Sequence, residues 1–133
     1  MKIYILLFAG IFLCALPVHA STLVTGGDAA KNLYATEKAN AQILVQKGKV
    51  FILRVHGSET PAPSDLKVKT RERFFIANEE MEYVHNVYDE DDQTWVLKKQ
   101  EPAGVAAIAF DKPGIHHLRC AIHPQMKIKV TVE

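Results

Sequence analysis

The stretch Gly114-Ile115-His116-His117-Leu118-Arg119-Cys120-Ala121-Ile122-His123-Pro124-Gln125-Met126-Lys127-Ile128-Lys129-Val130-Thr131-Val132-Glu133 carries the decisive pattern. At its end Ile128, Val130 and Val132 alternate with Lys129, Thr131 and Glu133, so an extended strand there has one apolar and one polar face. Ile115 to Cys120 reads as a second strand-like segment. The loop between them places a thiolate (Cys120), an imidazole (His123) and a thioether (Met126) within seven residues. A tight loop held by two strands can turn all three toward one point.

Working outward, the residues from Val50 to Phe110 repeat the same texture. Val50-Phe51-Ile52-Leu53-Arg54-Val55 is a β-branched and aromatic run, followed by the breaker-rich stretch Gly57 to Ser64, which reads as a loop. Leu66 and Val68, Phe74 and Ile76, then Tyr83, Val84, Val87 and Tyr88 mark further apolar segments, split by polar turns at Thr70-Arg71-Glu72 and Asn78-Glu79-Glu80. Trp95-Val96-Leu97 and Val105 to Phe110 complete the set. Short strands at this spacing with little helix predict an all-β sandwich or barrel. Residues 21–47 read differently: Asp28 is a candidate N-cap, and Ala29, Ala30, Leu33, Tyr34, Ala39 and Ile43 predict a short helix. We therefore divide the chain into an amino-terminal extension, 21–47, and a main domain, 48–133.

Residues 1–20 are set apart from the fold. Lys2 precedes the apolar run Ile3 to Leu16, and Val18-His19-Ala20 offers a small-residue cleavage site, the pattern of a secretory leader cut near Ala20. Pro17 interrupts the run, which is shorter than the roughly 20 residues a membrane span needs. A lipid-attachment reading of Cys14 is disfavoured by the bulky Ile11-Phe12-Leu13 before it. A periplasmic or secreted location is expected. Without Cys14, Cys120 is the only cysteine left, so no internal disulfide can form, and a lone thiol in an oxidising compartment calls for something to occupy it. A buried inert thiol is the plain alternative. With Lys2 gone, basic residues match the fifteen acidic ones, so nothing in the charge balance points to nucleic acid or an anionic membrane.

His85, some thirty-five residues before Cys120, closes an apolar segment and supplies a second imidazole. Two imidazoles, one thiolate and one thioether are the donor set of blue-copper electron-transfer sites, with Met126 as the weak axial partner. Structural zinc sites take four strong ligands, usually with two or more cysteines, whereas this set has three. A thioether suits Cu(I), and one copper ion is the expected cofactor, although zinc can occupy such a site adventitiously. His116 and His117 are read as structural. Four residues of strand separate His116 from Cys120 by roughly 13 Å at about 3.3 Å per residue, and His117 faces the other way. His56 is read as a loop histidine.

At these residues the chain resembles the cupredoxins, and within them the amicyanin and plastocyanin branch. The resemblance spans roughly residues 48–133. Leu66-Lys67-Val68-Lys69 through Phe75-Ile76-Ala77-Asn78 to Val84-His85-Asn86-Val87 is similar to the family's strand, turn, strand and first-histidine motif. Lys112-Pro113-Gly114 is similar to the turn ahead of its ligand strand, and Cys-x-x-His-Pro-x-Met to the short ligand loop of amicyanin. The resemblance implies an eight-stranded Greek-key sandwich, with His85, Cys120 and His123 as equatorial ligands and Met126 as the axial one. It also implies that Asn86 ties the two ligand-bearing segments together. Lys127 and Ile128 follow Met126 where the family usually has a glycine two residues on, and His116 and Leu118 stand where tyrosines are common.

The implied function is a one-electron carrier rather than an enzyme, working as a monomer between a redox donor and an acceptor, without stable membrane insertion. A copper carrier, chaperone or sensor without redox turnover is the rival; with only Met81 and Met126 beyond the leader, the chain lacks the methionine-rich character such a site favours. A copper oxidase would need more than the five histidines that follow the leader. Asp89-Glu90-Asp91-Asp92 reads as a solvated turn or as a negative patch that steers a basic redox partner.

Overall fold

The computed structural model describes residues 22–133 together with Gly10. The leader segment 1–20 otherwise lies outside the described residues, as does Ser21. The elements, in chain order, are β1 (Thr22–Thr25), α1 (Gly27–Glu37), β2 (Ile43–Lys47), β3 (Val50–Val55), β4 (Ser58–Pro61), β5 (Asp65–Val68), β6 (Phe74–Asn78), β7 (His85–Asp89), β8 (Thr94–Gln100), β9 (Val105–Phe110), β10 (Gly114–Arg119) and β11 (Lys127–Val132). They form a six-stranded sheet, ordered β1-β9-β6-β2-β3-β4, and a five-stranded sheet, ordered β5-β11-β10-β7-β8. Both sheets are mixed, with parallel pairs β2 to β6 and β5 to β11.

This is the predicted all-β sandwich, with eleven strands among the described residues rather than eight. The stretch 57–64, read from sequence as a loop, contains β4, which pairs with β3 from Ile52↔Pro61 to Val55↔Ser58. Two two-residue turns explain β2, β3 and β4. Gly48 and Lys49 (φ 63° and 62°) join β2 to β3, and His56 and Gly57 (φ 50° and 77°) join β3 to β4. Positive φ at both central residues matches the right-handed twist of a tight hairpin. His56 is thus a turn residue, its Nδ1 2.9 Å from the Ala39 carbonyl oxygen.

The boundary drawn at residue 48 falls inside the first of these turns. β2 lies in the middle of its sheet, between β6 and β3, and β1 pairs with β9 at one edge. Residues 22–47 therefore supply strands of the sandwich rather than an appendage to it. The predicted helix is present, but Gly26 occupies the N-cap without a side-chain bond, and Asp28 lies in the first turn, where its charge complements the helix dipole.

Alternation along the strands divides the apolar residues into two layers. Leu44, Leu66, Phe74, Ile76, Val87, Ile108, Phe110, Leu118, Met126 and Val130 meet between the sheets. Ile43, Val45, Phe75, Ala77 and Ala107 face the other side of the six-stranded sheet, where Leu33 and Tyr34 of α1 pack on them. Tyr34 meets Phe75 edge-on at 5.3 Å between ring centroids. Burial of side chains of this size stabilises by about 1.5–3 kcal/mol each before entropy is counted.

Candidate metal centre

Strand ends bring the candidate residues to one end of the sandwich. His85 opens β7, Cys120 follows β10, and Met126 immediately precedes β11. The β10–β11 ladder runs from Gly114↔Val132 to Arg119↔Lys127, so the ligand loop is closed at its base by regular pairing. Inside the loop the Cys120 N–H donates to the Met126 carbonyl (2.8 Å), and the Met126 N–H donates to the His123 carbonyl (2.9 Å). No residue of the loop or of β11 has positive φ, so the exit past Met126 needs no glycine. The segment carrying His85 is tied on by Asn86, whose Oδ1 accepts the Ala121 N–H at 2.8 Å. This is the tie the resemblance implied.

The three strong donors converge. Nδ1 of His85 and Nδ1 of His123 each lie 3.9 Å from Cys120 Sγ, and the three donor atoms all fall within 4.8 Å of one another. The two imidazole centroids are 4.9 Å apart. Cys120, Met126 and His85 are buried, whereas His123 is half-buried, with exposed Ala121, Ile122 and Pro124 around it and the Tyr83 ring edge-on at 5.8 Å. Cys120 and Met126 belong to the same inter-sheet core. Burial, and then the neighbouring His123, push the His85 imidazole below its ordinary value, which keeps it a neutral lone-pair donor. The arrangement suits a soft thiophilic cation: one cysteine sulfur and two imidazole nitrogens in a largely dry pocket, with a thioether beside them.

The other histidines behave as the strand geometry predicts, with one addition. His116 is buried and His117 exposed on the opposite face. His116 stacks on Phe110 at 4.0 Å between centroids, and its Nδ1 lies 2.6 Å from Asp89 Oδ2 and 3.7 Å from Asp92 Oδ2. Asp89, read from sequence as part of a solvated turn, is fully buried, and its Oδ1 accepts the N–H groups of Asp91 and Asp92. Asp91 pairs with His117 and Glu90 with Arg119. The acidic run is therefore a turn folded onto β10, with Asp89 buried and the Glu90 and Asp91 side chains still reaching solvent. The whole run looks equally hydrophilic in sequence, so only the pairing of β7 with β10 distinguishes Asp89 from its neighbours.

Sequence reading also passed over Gln46 and Gln100, and took Tyr83 only as part of an apolar segment; all three lie near the candidate site. Gln46 follows the apolar run Ile43-Leu44-Val45 and precedes Lys47, so in sequence it reads as the polar end of a segment.

No protein-family model matches the chain, and no curated protein matches it. Solved structures do. A Cu(I) form of an amicyanin mutant matches with a TM-score of 0.58 at 18% identity, covering 84% of this chain and 98% of that one. A reduced Cu(I) form at pH 4 of another amicyanin mutant matches with a TM-score of 0.60, again at 18% identity and with the same coverage. A third amicyanin mutant, also Cu(I), matches with a TM-score of 0.57 at 16% identity, covering 86% of this chain and 98% of that one. Likeness at this identity speaks to architecture, and with the two sheets and the converging His-Cys-His-Met constellation it leads to one conclusion: this chain is built on the cupredoxin fold.

Proposed function

We propose that this protein is a blue-copper electron carrier that holds one mononuclear copper through His85, Cys120, His123 and Met126. The observation that carries the reading is the approach of two imidazole Nδ1 atoms to a single buried thiol, 3.9 Å each, at the end of a cupredoxin-type sandwich. Copper in such a set supplies a one-electron couple between Cu(II) and Cu(I).

The chain's own residues do the rest. The β10–β11 ladder and the Asn86 bond hold the donor atoms in place, which limits rearrangement between oxidation states. Burial of Cys120 and Met126 keeps water from the soft donors. His123 is the donor nearest solvent, and Ile122, Pro124 and Tyr83 make an apolar rim where a redox partner can approach its ring. Donor and acceptor proteins are the expected partners. No helix among the described residues is long and apolar enough to cross a membrane. The leader pattern of residues 1–20 supports delivery to the periplasm or beyond, where Cys120 is left as a single thiol.

The test is direct. Purified chain lacking residues 1–20 is titrated with Cu(II) while visible and electron-paramagnetic-resonance spectra are recorded. An intense thiolate-to-copper charge-transfer band at one equivalent, with reversible reduction and reoxidation, is expected. Copper bound without that band, or bound without a reversible couple, would favour a metal carrier instead.

A further inference from the structure

Four interior-facing polar side chains form the last rung of the sandwich below the metal site. In β2, Leu44 faces the inter-sheet core, so Gln46 two residues on shares that face; Phe74 and Ile76 place Asn78 likewise in β6. In the opposite sheet the β7–β8 register shifts between His85 and Val87, so contacts rather than alternation place the other two: His85 Nδ1 faces Cys120 Sγ, and Gln100 Nε2 reaches the Ile76 carbonyl of β6. Gln46 lies opposite Asn78, and His85 lies opposite Gln100. All four are buried, Gln46 and His85 at 0% exposure.

Their hydrogen bonding is half complete. Asn78 Nδ2 donates to the carbonyls of Tyr83 and Gln100, each at 2.9 Å, and its Oδ1 accepts the Glu80 N–H. Gln100 Nε2 donates across to the Ile76 carbonyl at 2.8 Å. Both side-chain polar atoms of Gln46, together with His85 Nε2 and Gln100 Oε1, are buried without a partner. Buried polar groups in native proteins are almost always satisfied, because leaving one unpaired forfeits its hydration.

The four atoms balance. When His85 Nδ1 serves as the lone-pair donor of the site, the neutral ring carries its proton on Nε2, which is then a donor; Gln46 Nε2 is the second donor. Gln46 Oε1 and Gln100 Oε1 are the two acceptors. We propose that Gln46 is a positioning residue for His85: its Oε1 accepts from the His85 Nε2–H and its Nε2 donates to Gln100 Oε1, each across one enclosed water. The resulting chain, His85 to Gln46 to Gln100 to the Ile76 carbonyl, anchors the buried imidazole to both sheets. It fixes the tautomer that presents the Nδ1 lone pair to the metal, and it makes that nitrogen a stronger donor. The tautomer part stands on this chain's own residues; the effect on the metal rests on the copper reading above.

The test uses Gln46→Leu and, as a second apolar variant with a more adaptable side chain, Gln46→Met. Two-bond proton–nitrogen NMR correlation reads the His85 tautomer in ¹⁵N-labelled metal-free and Cu(I)-loaded protein. In the parent chain His85 should be the Nε2–H tautomer with a downfield ring proton. Both variants should shift that proton upfield and let the Nδ1–H tautomer appear in the metal-free protein. They should also bind Cu(II) about 10-fold or more weakly and show a raised reduction potential. Unchanged ring resonances and potential in both variants would overturn the proposal. So would a His85 resonance that moves in Gln100→Leu but not in either Gln46 variant, since Gln100 would then hold the ring by itself. A chain that takes up no copper but shows the tautomer change would sink the copper reading and leave the His85 to Gln46 link standing.

Discussion

On the proposed copper reading Cys120 supplies the thiolate, and its surroundings explain why a thiol can be exchanged there at modest cost to the fold. It is buried at the end of the inter-sheet core, where sulfur packs as a small apolar group. Its backbone N–H is held by the Met126 carbonyl, a bond any residue at this position would keep. Cys120→Ser should therefore fold with the same strands and lose roughly 1–3 kcal/mol, the usual cost of a poorly partnered buried hydroxyl. The visible charge-transfer band should vanish, because a hydroxyl has no thiolate to supply it. Circular dichroism and the visible spectrum of copper-treated variant read the two effects separately. A variant that kept the intense colour would place the thiolate elsewhere.

Among the elements, the ligand loop was the most legible in sequence and β2 the least, for the same physical reason. Cys120, His123 and Met126 announce themselves by chemistry, and the alternation of Ile128, Val130 and Val132 fixes the strand beyond them. β2 is only five residues, is buried on both faces up to Gln46, and so lacks the alternation that marks a half-exposed strand. Its hairpin turn was disguised as well, since Lys49 stands where a second glycine or asparagine would flag two left-handed residues. The Lys49 N–H is taken by Glu80 Oε1, and its Nζ lies 5.1 Å from the Tyr83 ring centroid, contacts that no local pattern foretells. The loop and β7 also differ in how they present their histidines, and this yields a prediction at their own scale. His123 is half-buried beside exposed Ile122 and Pro124, whereas His85 is fully enclosed. His123→Gly should open a position that added imidazole can reach from water, restoring the blue spectrum. His85→Gly should respond at least about 10-fold less well at the same imidazole concentration, a difference equivalent to about 1.4 kcal/mol of access and burial. Equal rescue of the two, under identical copper loading, would show that the site opens on the wrong histidine.

The described residues bury two apolar layers, one between the sheets and one under α1, and this burial is large beside one metal bond, so we expect the strands to form without metal. Chelation should lower the melting temperature while leaving the strand content intact; saturating copper at about 1,000 times its dissociation constant should add about 4 kcal/mol to the metal-free stability. Collapse of the circular dichroism on chelation would contradict this. Stability of the metal-free protein should also depend on pH through His116, which binds the β7–β8 turn to β10 at a distance from the metal site. Burial lowers the affinity of this imidazole for its proton, but the Asp89 hydrogen bond and charge, aided by Asp92 and Asp91, outweigh burial and hold it above its ordinary value of 6.5. A folded-state value above the unfolded one means that the folded chain binds the proton more tightly. The contribution is thus complete below about pH 6.5 and is lost as pH rises through the raised value, by about 1.4 kcal/mol for each unit of difference. His85 acts with the opposite sign: its folded-state value is depressed, so protonation costs stability as pH falls below 6.5. Urea midpoints measured from pH 5 to 9 should therefore decline on the alkaline side in the parent chain. In His116→Gln, which keeps a donor for Asp89 but cannot titrate, that alkaline decline should flatten while the acid-side loss remains. An unaltered alkaline decline in His116→Gln would assign the pH dependence to another group and leave the buried His116–Asp89 pair without a role in it.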